Sequence, residues 1–351
     1  MSFYDTLQLD PAVIKKYMNE ATNKHERRSL IFALVARSFL LVAFAIAFIA
    51  PLTMIFGNEN SPMAVAIFCI LLSIRFVDFG CCLEDALENL VTVFLLLWFA
   101  PVLADNLPFI LALGVHFIAL ATILFMTSDK PEMGNGGLFG FAYVFLTGNP
   151  VSGDAFFNRF LLAVVGIIVC GLVYVKKHRH KNADVPFHEK KRAFSLKEHK
   201  HEWQFRMALG VSLLLACASA FDLERFMWAG FACGSILSES CEQPNIQRKS
   251  SHRLIGMLTG CAAFYAVFTL VPQSLRILIA PLGGFCLGFC TDYRYKTAFN
   301  CFGALILASG IYGLDPSVLL RITDTVIGVV FAVVFFYIFD FIFTHRFMRT
   351  K

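Results

Sequence analysis

Long apolar runs separated by short polar or basic segments dominate this chain. A helix that crosses a bilayer needs about 20 mostly apolar residues. Arg37–Gly57, Leu87–Ala104, Leu107–Thr127, Phe157–Val175, Met207–Phe221, Leu254–Val271, Leu275–Cys290, Thr297–Tyr312 and Leu320–Phe343 meet or approach that length. Pro62–Ile74, Leu138–Leu146 and Phe226–Leu237 are shorter and read as tilted, interrupted or re-entrant segments. Counting all of them predicts 12 crossings.

The basic residues support that number. With the N-terminus in the cytoplasm and every run crossing, 26 of the 30 Lys and Arg fall in inside segments. Four, Arg159, Arg225, Arg276 and Arg321, fall outside. This is the positive-inside bias, and omitting any one short run would invert all that follows. The expectation is a multi-pass protein of a cell membrane, read as a bacterial plasma membrane, with both termini cytoplasmic.

Composition narrows the class further. Hydrophobic residues make up 58% of the 351 and charged residues only 16%, against roughly 25% charged in soluble domains. That excludes an ordinary soluble enzyme, a disordered chain and a disulfide-stapled module. Most of the 11 cysteines sit inside apolar runs, where cysteine packs as a small hydrophobe. Cys81 and Cys82 have no partner pair at metal-ligand spacing. The polar first 30 residues predict no cleavable signal peptide.

Two halves repeat one another. Lys24-His25-Glu26, followed by Ala33-Leu34, recurs as Lys200-His201-Glu202 before Ala208-Leu209. Arg159 precedes Gly166 by seven residues, and Arg321 precedes Gly328 by seven. Six spans per unit is an even number, so both copies enter from the same side as parallel repeats. The fold expected is therefore an all-α polytopic membrane protein of about 12 transmembrane helices in two parallel six-helix repeats. Residues 1–180 form the first repeat with an N-terminal cytoplasmic segment. Residues 181–351 form the second, preceded by a basic cytoplasmic linker. The seam between repeats is the default solute pathway.

The second half carries motifs of a known kind. Trp228, a polar loop, then Arg253-Leu254-Ile255-Gly256-Met257-Leu258-Thr259-Gly260 resemble the fusaric acid resistance protein-like (FUSC) family, with Met257 where that family usually has Thr. The run from Leu320 through Arg321, Asp324 and Thr325 to Gly328 is similar to the same family's closing motif. Together they cover most of Lys200–Lys351. In the first half Glu88-Asn89 and Leu162-Ala163 replace the corresponding motif positions, so a shared site would be asymmetric. The resemblance implies export of aromatic or other organic acids and kinship with plant malate-permeable anion channels. With only about 30 residues between the halves, it also implies the membrane module alone.

Several residues are candidates for the chemistry. Arg253, with His252 beside it, opens a span at the cytoplasmic side. It serves either as an anchor that snorkels to headgroups or as a guanidinium that binds a carboxylate in two-pronged fashion. Gly256 and Gly260 share a helix face and permit close helix approach. Arg321 and Asp324 lie three apart and can pair, as a structural ion pair or as a releasable clamp. Arg159 is the first-half counterpart of Arg321 without the carboxylate. Trp228 joins the substrate-binding set. His116 lies mid-span and Asp340 near the end of the last span; they are the proton-coupling candidates, against packing or local pairing of Asp340 with His345 or Arg346.

The glycine clusters Gly134–Gly140 and Gly283–Gly288 read as broken helices or as tight packing, and not as a phosphate loop. The linker Lys176–Arg206 holds His178/His180 and His199/His201. Its Phe187, Phe194, Leu196 and Trp203 suggest a helix lying on anionic lipid, so membrane lipids are expected partners. No metal, cofactor or nucleic acid is expected, and no catalytic constellation appears. The predicted function is efflux of organic anions such as aromatic carboxylates. The alternatives are a passive anion channel and a non-transporting membrane scaffold. A duplicated chain can form such a pathway as a monomer, with a homodimer as the other arrangement.

Overall fold

The computed structural model describes residues 3–129, 131–239 and 245–347. Lys130, Arg349 and Lys351, counted above in the charge bias, lie outside the described residues, as do the side chains of His345 and Arg346. Among the described residues the structure is helical and contains no strand. Two short helices, α1 (Phe3–Gln8) and α2 (Pro11–Glu20), precede α3 (Lys24–Phe56), α4 (Ser61–Ile74), α5 (Leu83–Asp105), α6 (Phe109–Thr127), α7 (Asn135–Thr147) and α8 (Gly153–His178). After the linker helix α9 (Phe187–Arg192) come α10 (His199–Ala220), α11 (Met227–Leu237), α12 (Ile246–Leu270), α13 (Ile279–Leu287), α14 (Tyr293–Tyr312) and α15 (Leu314–Phe347).

Seven of these, α3, α5, α6, α8, α10, α12 and α15, are long and apolar enough to cross a membrane. The short apolar runs also form helices, 14 residues in α4, 13 in α7 and 11 in α11. At 1.5 Å per residue these fall short of a bilayer core about 30 Å thick. The Pro281 run yields only the nine residues of α13, extended by a 3-10 turn at Gln273–Leu278.

The helix ends follow local chemistry. The Asp10 carboxylate accepts the Ala12 N–H at 2.8 Å, and Pro11 supplies the first helical residue of α2. Asp292 caps α14 through the Arg294 N–H. Gly313, at φ +85°, lets α14 reverse directly into α15.

The chain divides into two compact units: residues 1–47 with 248–325, and residues 48–247 with 326–351. In the larger unit, α6 packs against α5 and α10, α8 against α4 and α5, and α7 against α4, α5, α6 and α11. Phe79, Phe94, Phe139, Tyr143 and Trp203 are fully enclosed there. In the smaller unit, α13 packs on α14, and Gly288, which caps its end, faces Ser38 of α3. Ile14 of α2 is completely buried.

The linker docks onto protein. The Cys82 N–H bonds Val185 O at 2.8 Å, and the Phe187 N–H bonds Asp85 Oδ2 at 2.6 Å. Lys190 Nζ donates to Phe79 O at 2.7 Å and lies 3.2 Å from Asp129, whose same oxygen accepts from Lys200 Nζ at 2.9 Å. Phe187 and Phe194 pack on Phe125, and Trp203 is fully buried. Two of the aromatics expected to face lipid are thus committed to the protein interior.

Burial pushes the Asp129 carboxyl up, but the charges of Lys190 and Lys200 and their hydrogen bonds outweigh it and hold the carboxyl below its ordinary value. A depressed carboxyl stabilises docking above the unfolded value of about 3.9, and the contribution is lost as pH falls through the native value. Docking is expected to be level between pH 5 and 8 and to loosen only in acid. Asp129→Asn is expected to cost roughly 1–2 kcal/mol, discounted for partial exposure. Limited proteolysis at residues 181–198 checks this: cleavage should rise severalfold in the variant at pH 7.

Candidate functional site

The smaller unit encloses an unusual set of polar side chains for an apolar bundle. Helices α12 and α14 meet backbone to backbone, because a Cβ on Gly256 would strike the Arg294 carbonyl and one on Gly260 would lie 2.5 Å from the Ala298 carbonyl oxygen. On α12, Arg253, Met257 and Cys261 recur every four residues. On α14, so do Tyr293, Thr297 and Cys301. Spacing of four keeps each trio on one helix face, and Arg253–Tyr293 and Met257–Cys301 contacts turn the two faces toward each other.

Arg253 is 8% exposed, and its Nη1 donates to Tyr293 Oη at 3.1 Å, while its Nε is buried with no hydrogen-bond partner. One turn along α14, the buried hydroxyl of Thr297 also lacks a partner. The Cys301 thiol donates to Thr297 O at 3.4 Å and sits 4.0 Å from Met257 O. Cys261 and the Arg321 guanidinium of α15 both lie close enough to Cys301 to act on its thiol. Arg253 also acts on Cys301 electrostatically. Two guanidiniums on different helices therefore converge on one thiol.

Buried charge in this unit is unbalanced. Among its described residues, the buried charged side chains are Arg253, Arg321 and Asp324, two cations and one anion. Charges inside an apolar bundle are costly unless compensated. One excess positive charge beside unmatched donors is an environment that favours an anion.

The remaining candidates are placed differently. His252 is half-buried and faces Asp292, whose carboxyl the Arg294 hydrogen bonds hold far below its ordinary value. Trp228 is buried in α11 of the larger unit, with the Arg225 guanidinium 6.0 Å from its ring. His116, 3% exposed, shares a 2.9 Å hydrogen bond with Tyr143. Asp340 is exposed on α15.

Arg159 is fully enclosed in the larger unit. It donates to Asn60 Oδ1 at 3.0 Å, Asn149 O at 2.8 Å and Glu59 O at 2.9 Å, tying two interhelical turns together. An open cavity of about 610 Å³ beside these turns is lined by Glu59 and Asp105, the wrong sign for an anion. Arg159→Gln is expected to destabilise the fold by about 3 kcal/mol, because it leaves buried carbonyls unmatched. A thermal melt of the purified chain measures this.

The sequence reading missed Tyr293, Thr297, Cys261 and Cys301. The matched four-residue spacings on two consecutive long runs are the signal that could have found them. Among the described residues no group of three or more His, Cys, Asp or Glu could hold a metal ion. His178 and His201 of the His-x-His pairs are engaged separately, with Ile74 O and with Ser195.

Residues 211–335 match a family model described as fusaric acid resistance protein-like. Over that stretch the second half is similar to the FUSC family. No curated protein and no solved structure matches the chain. The FUSC match spans Trp228, Arg253, Arg321 and Asp324 together with Cys261 and Cys301, and leaves Arg159, His116 and Asp340 outside it. The resemblance read from the Arg253–Gly260 and Leu320–Gly328 runs is borne out over that stretch. The family implies membrane transport of the resistance and efflux type, in keeping with seven helices able to cross a membrane.

Proposed function

We propose that this protein exports organic anions, aromatic carboxylates among them, through the polar lane from Arg253 past Cys301 to Arg321. The observation that carries the proposal is the convergence of two buried guanidiniums on Cys301 with a single buried carboxylate nearby. Arg253, steadied by Tyr293, receives the carboxylate at the cytoplasmic end. The unmatched Thr297 hydroxyl offers the next donor. Arg321, one turn from Asp324, takes the anion further along. Guanidinium geometry suits a planar carboxylate better than a lysine would.

The proposed setting is a bacterial plasma membrane, with 12 crossings, two parallel repeats and cytoplasmic termini. Three observations support it. Helices occupy every one of the twelve apolar runs. Gly166 of α8 packs on Ile67 of α4, and Gly328 of α15 packs on Ala229 of α11, each a last helix of a repeat against its second. In the larger unit α10 packs on α6, while in the smaller Gly288, the residue that ends α13, faces Ser38 of α3, each a first helix against a fourth.

The second reading, a passive anion channel, uses the same arginines as selectivity elements. Current recordings from reconstituted membranes separate the two. A coupled exporter is expected to show solute flux that depends on a proton gradient and carries no steady reversal at the anion potential. A steady pH-independent current following the anion gradient would assign the channel. Absence of any flux for benzoate, dicarboxylates and halides would leave the scaffold.

A further inference from the structure

The contact between α12 and α14 has two flanks, and the polar lane uses only one of them. At roughly 100° per residue, Ile255 and Met257 lie on opposite sides of Gly256, and Thr297 and Phe299 on opposite sides of Ala298. Met257 and Thr297 belong to the lane. Ile255 and Phe299 line a groove of about 350 Å³ on the other flank, continued by Thr259 and Ala263 along α12 and by Phe302 along α14. Its end is different in kind, formed by Arg294 and Tyr295 in the first turn of α14. Arg294 donates to the Asp292 carboxylate from Nε at 3.1 Å and from Nη2 at 2.7 Å, and its Nη1 bonds to no described residue. The groove thus joins a cationic end to an apolar length. From Ile255 to Ala263 that length is about 12 Å at 1.5 Å per residue, close to the roughly 15 Å depth of one leaflet.

We propose that this groove binds one anionic phospholipid, with its phosphate on Arg294 and one acyl chain laid between α12 and α14. Charge complementarity selects the occupant. The opening turns of the two helices carry Arg248, Lys249, Arg253, Arg294 and Lys296, against the single carboxylate of Asp292 at the α14 cap. A net positive end beside apolar surface, on a helix able to cross a membrane, suits an anionic headgroup and its chain. Asp292 holds the Arg294 guanidinium by one edge, which leaves the other edge oriented to grip a phosphate. Tyr295, 59% exposed beside it, is the kind of side chain that sits at headgroup level. Along the walls the one hydroxyl, that of Thr259, is turned back on the Ile255 and Gly256 carbonyls of its own helix, so the length of the groove suits methylenes. The inference stands apart from anion transport, whose lane lies on the opposite flank.

The full chain, stripped of lipid in detergent, is given phosphatidylglycerol or phosphatidylcholine with the same acyl chains, and retained lipid is counted by native mass spectrometry. The wild type is expected to retain one phosphatidylglycerol per chain at a concentration roughly fivefold lower than it needs for phosphatidylcholine, the effect of one cation on a charged lipid. Arg294→Gln keeps the backbone N–H that caps α14 through Asp292, and is expected to abolish the preference. Ala263→Leu fills the groove from an exposed position and is expected to lower retention of both lipids severalfold. Arg276→Gln removes a cation outside the groove and is expected to change neither. Equal retention of the two lipids by the wild type overturns the proposal. So does undiminished phosphatidylglycerol in Arg294→Gln or Ala263→Leu, or an equal loss in Arg276→Gln. Should a variant not fold, phosphatidylglycerol with a photoreactive acyl chain decides on the wild type. Cross-links to residues 255–263 or 295–302 are expected, and cross-links confined to other segments overturn it.

Discussion

Replacing Arg321 with glutamine is expected to lower carboxylate flux into proteoliposomes on the order of a hundredfold while leaving the chain folded. Arg321 is 4% exposed and acts on the buried Cys301, so its interaction with a passing anion is little screened. Removing one member of a desolvated charge pair costs roughly 3 kcal/mol, which is about two decades in an equilibrium or rate. Arg321→Lys keeps the charge but loses the planar fork, and should recover part of the flux. Arg276 provides the control. It sits outside the lane, its guanidinium 4.1 Å from the Phe268 ring, and Arg276→Gln is expected to change flux by less than about twofold, as rim charges do. Size-exclusion profiles of the four proteins establish that they are comparably folded.

The second large effect is expected at the α12–α14 contact. Gly260→Ala would place a Cβ 2.5 Å from the Ala298 carbonyl oxygen and 2.7 Å from its Cα, and Gly256→Ala would strike the Arg294 carbonyl. These are backbone atoms of a packed helix, which cannot rotate aside. Each substitution is expected to destabilise by about 2–3 kcal/mol, as overpacking of a close interface does. It would also spread the two helix faces that hold Arg253 against Tyr293. Gly303, on α14 itself, has open space where its Cβ would be. Gly303→Ala should therefore be neutral or stabilising by up to about 1 kcal/mol through helix propensity. Melting temperatures in one detergent rank the three. A Gly260→Ala protein as stable as Gly303→Ala would mean that α12 and α14 are not in backbone contact.

Much of the helical content was legible in the sequence because apolar runs are local and unambiguous. Each run lies on a helix, and Pro62–Ile74 and Phe226–Leu237 match theirs within a residue. By contrast, α3, α10 and α12 begin 13, 8 and 8 residues before the expected starts, because their polar and basic first turns are helical too. Arg253, Gly256 and Gly260 were legible for the same reason, since helical spacing places both glycines on one face. What they pack against was not. Nothing in the Arg253 run names α14 as its partner, because helix pairing is fixed by contacts between segments some forty residues apart.

The partner of Arg321 was not legible either. It reads as an outer-mouth charge, and nothing in the Leu320–Gly328 run names Cys301 of α14, twenty residues earlier, as the group it acts on. The linker misled the reading. Phe187 and Trp203 interleaved with Lys and His have the composition of a lipid-surface helix. Their burial depends on Phe125 and on the Leu124 and Gly136 region against Trp203, none of which adjoins them in sequence. Asp129 illustrates the same limit. A lone carboxylate in a short turn gives no sign that two lysines from a distant linker converge on it.

The account depends on an anion occupying the space between Arg253 and Arg321, and equilibrium binding of radiolabelled benzoate to the purified chain tests that most directly. The wild type is expected to bind saturably, to be displaced by other carboxylates but not by benzyl alcohol, and to lose binding in Arg253→Gln/Arg321→Gln. Undiminished benzoate binding in that double variant, or equal displacement by the neutral alcohol, would contradict it.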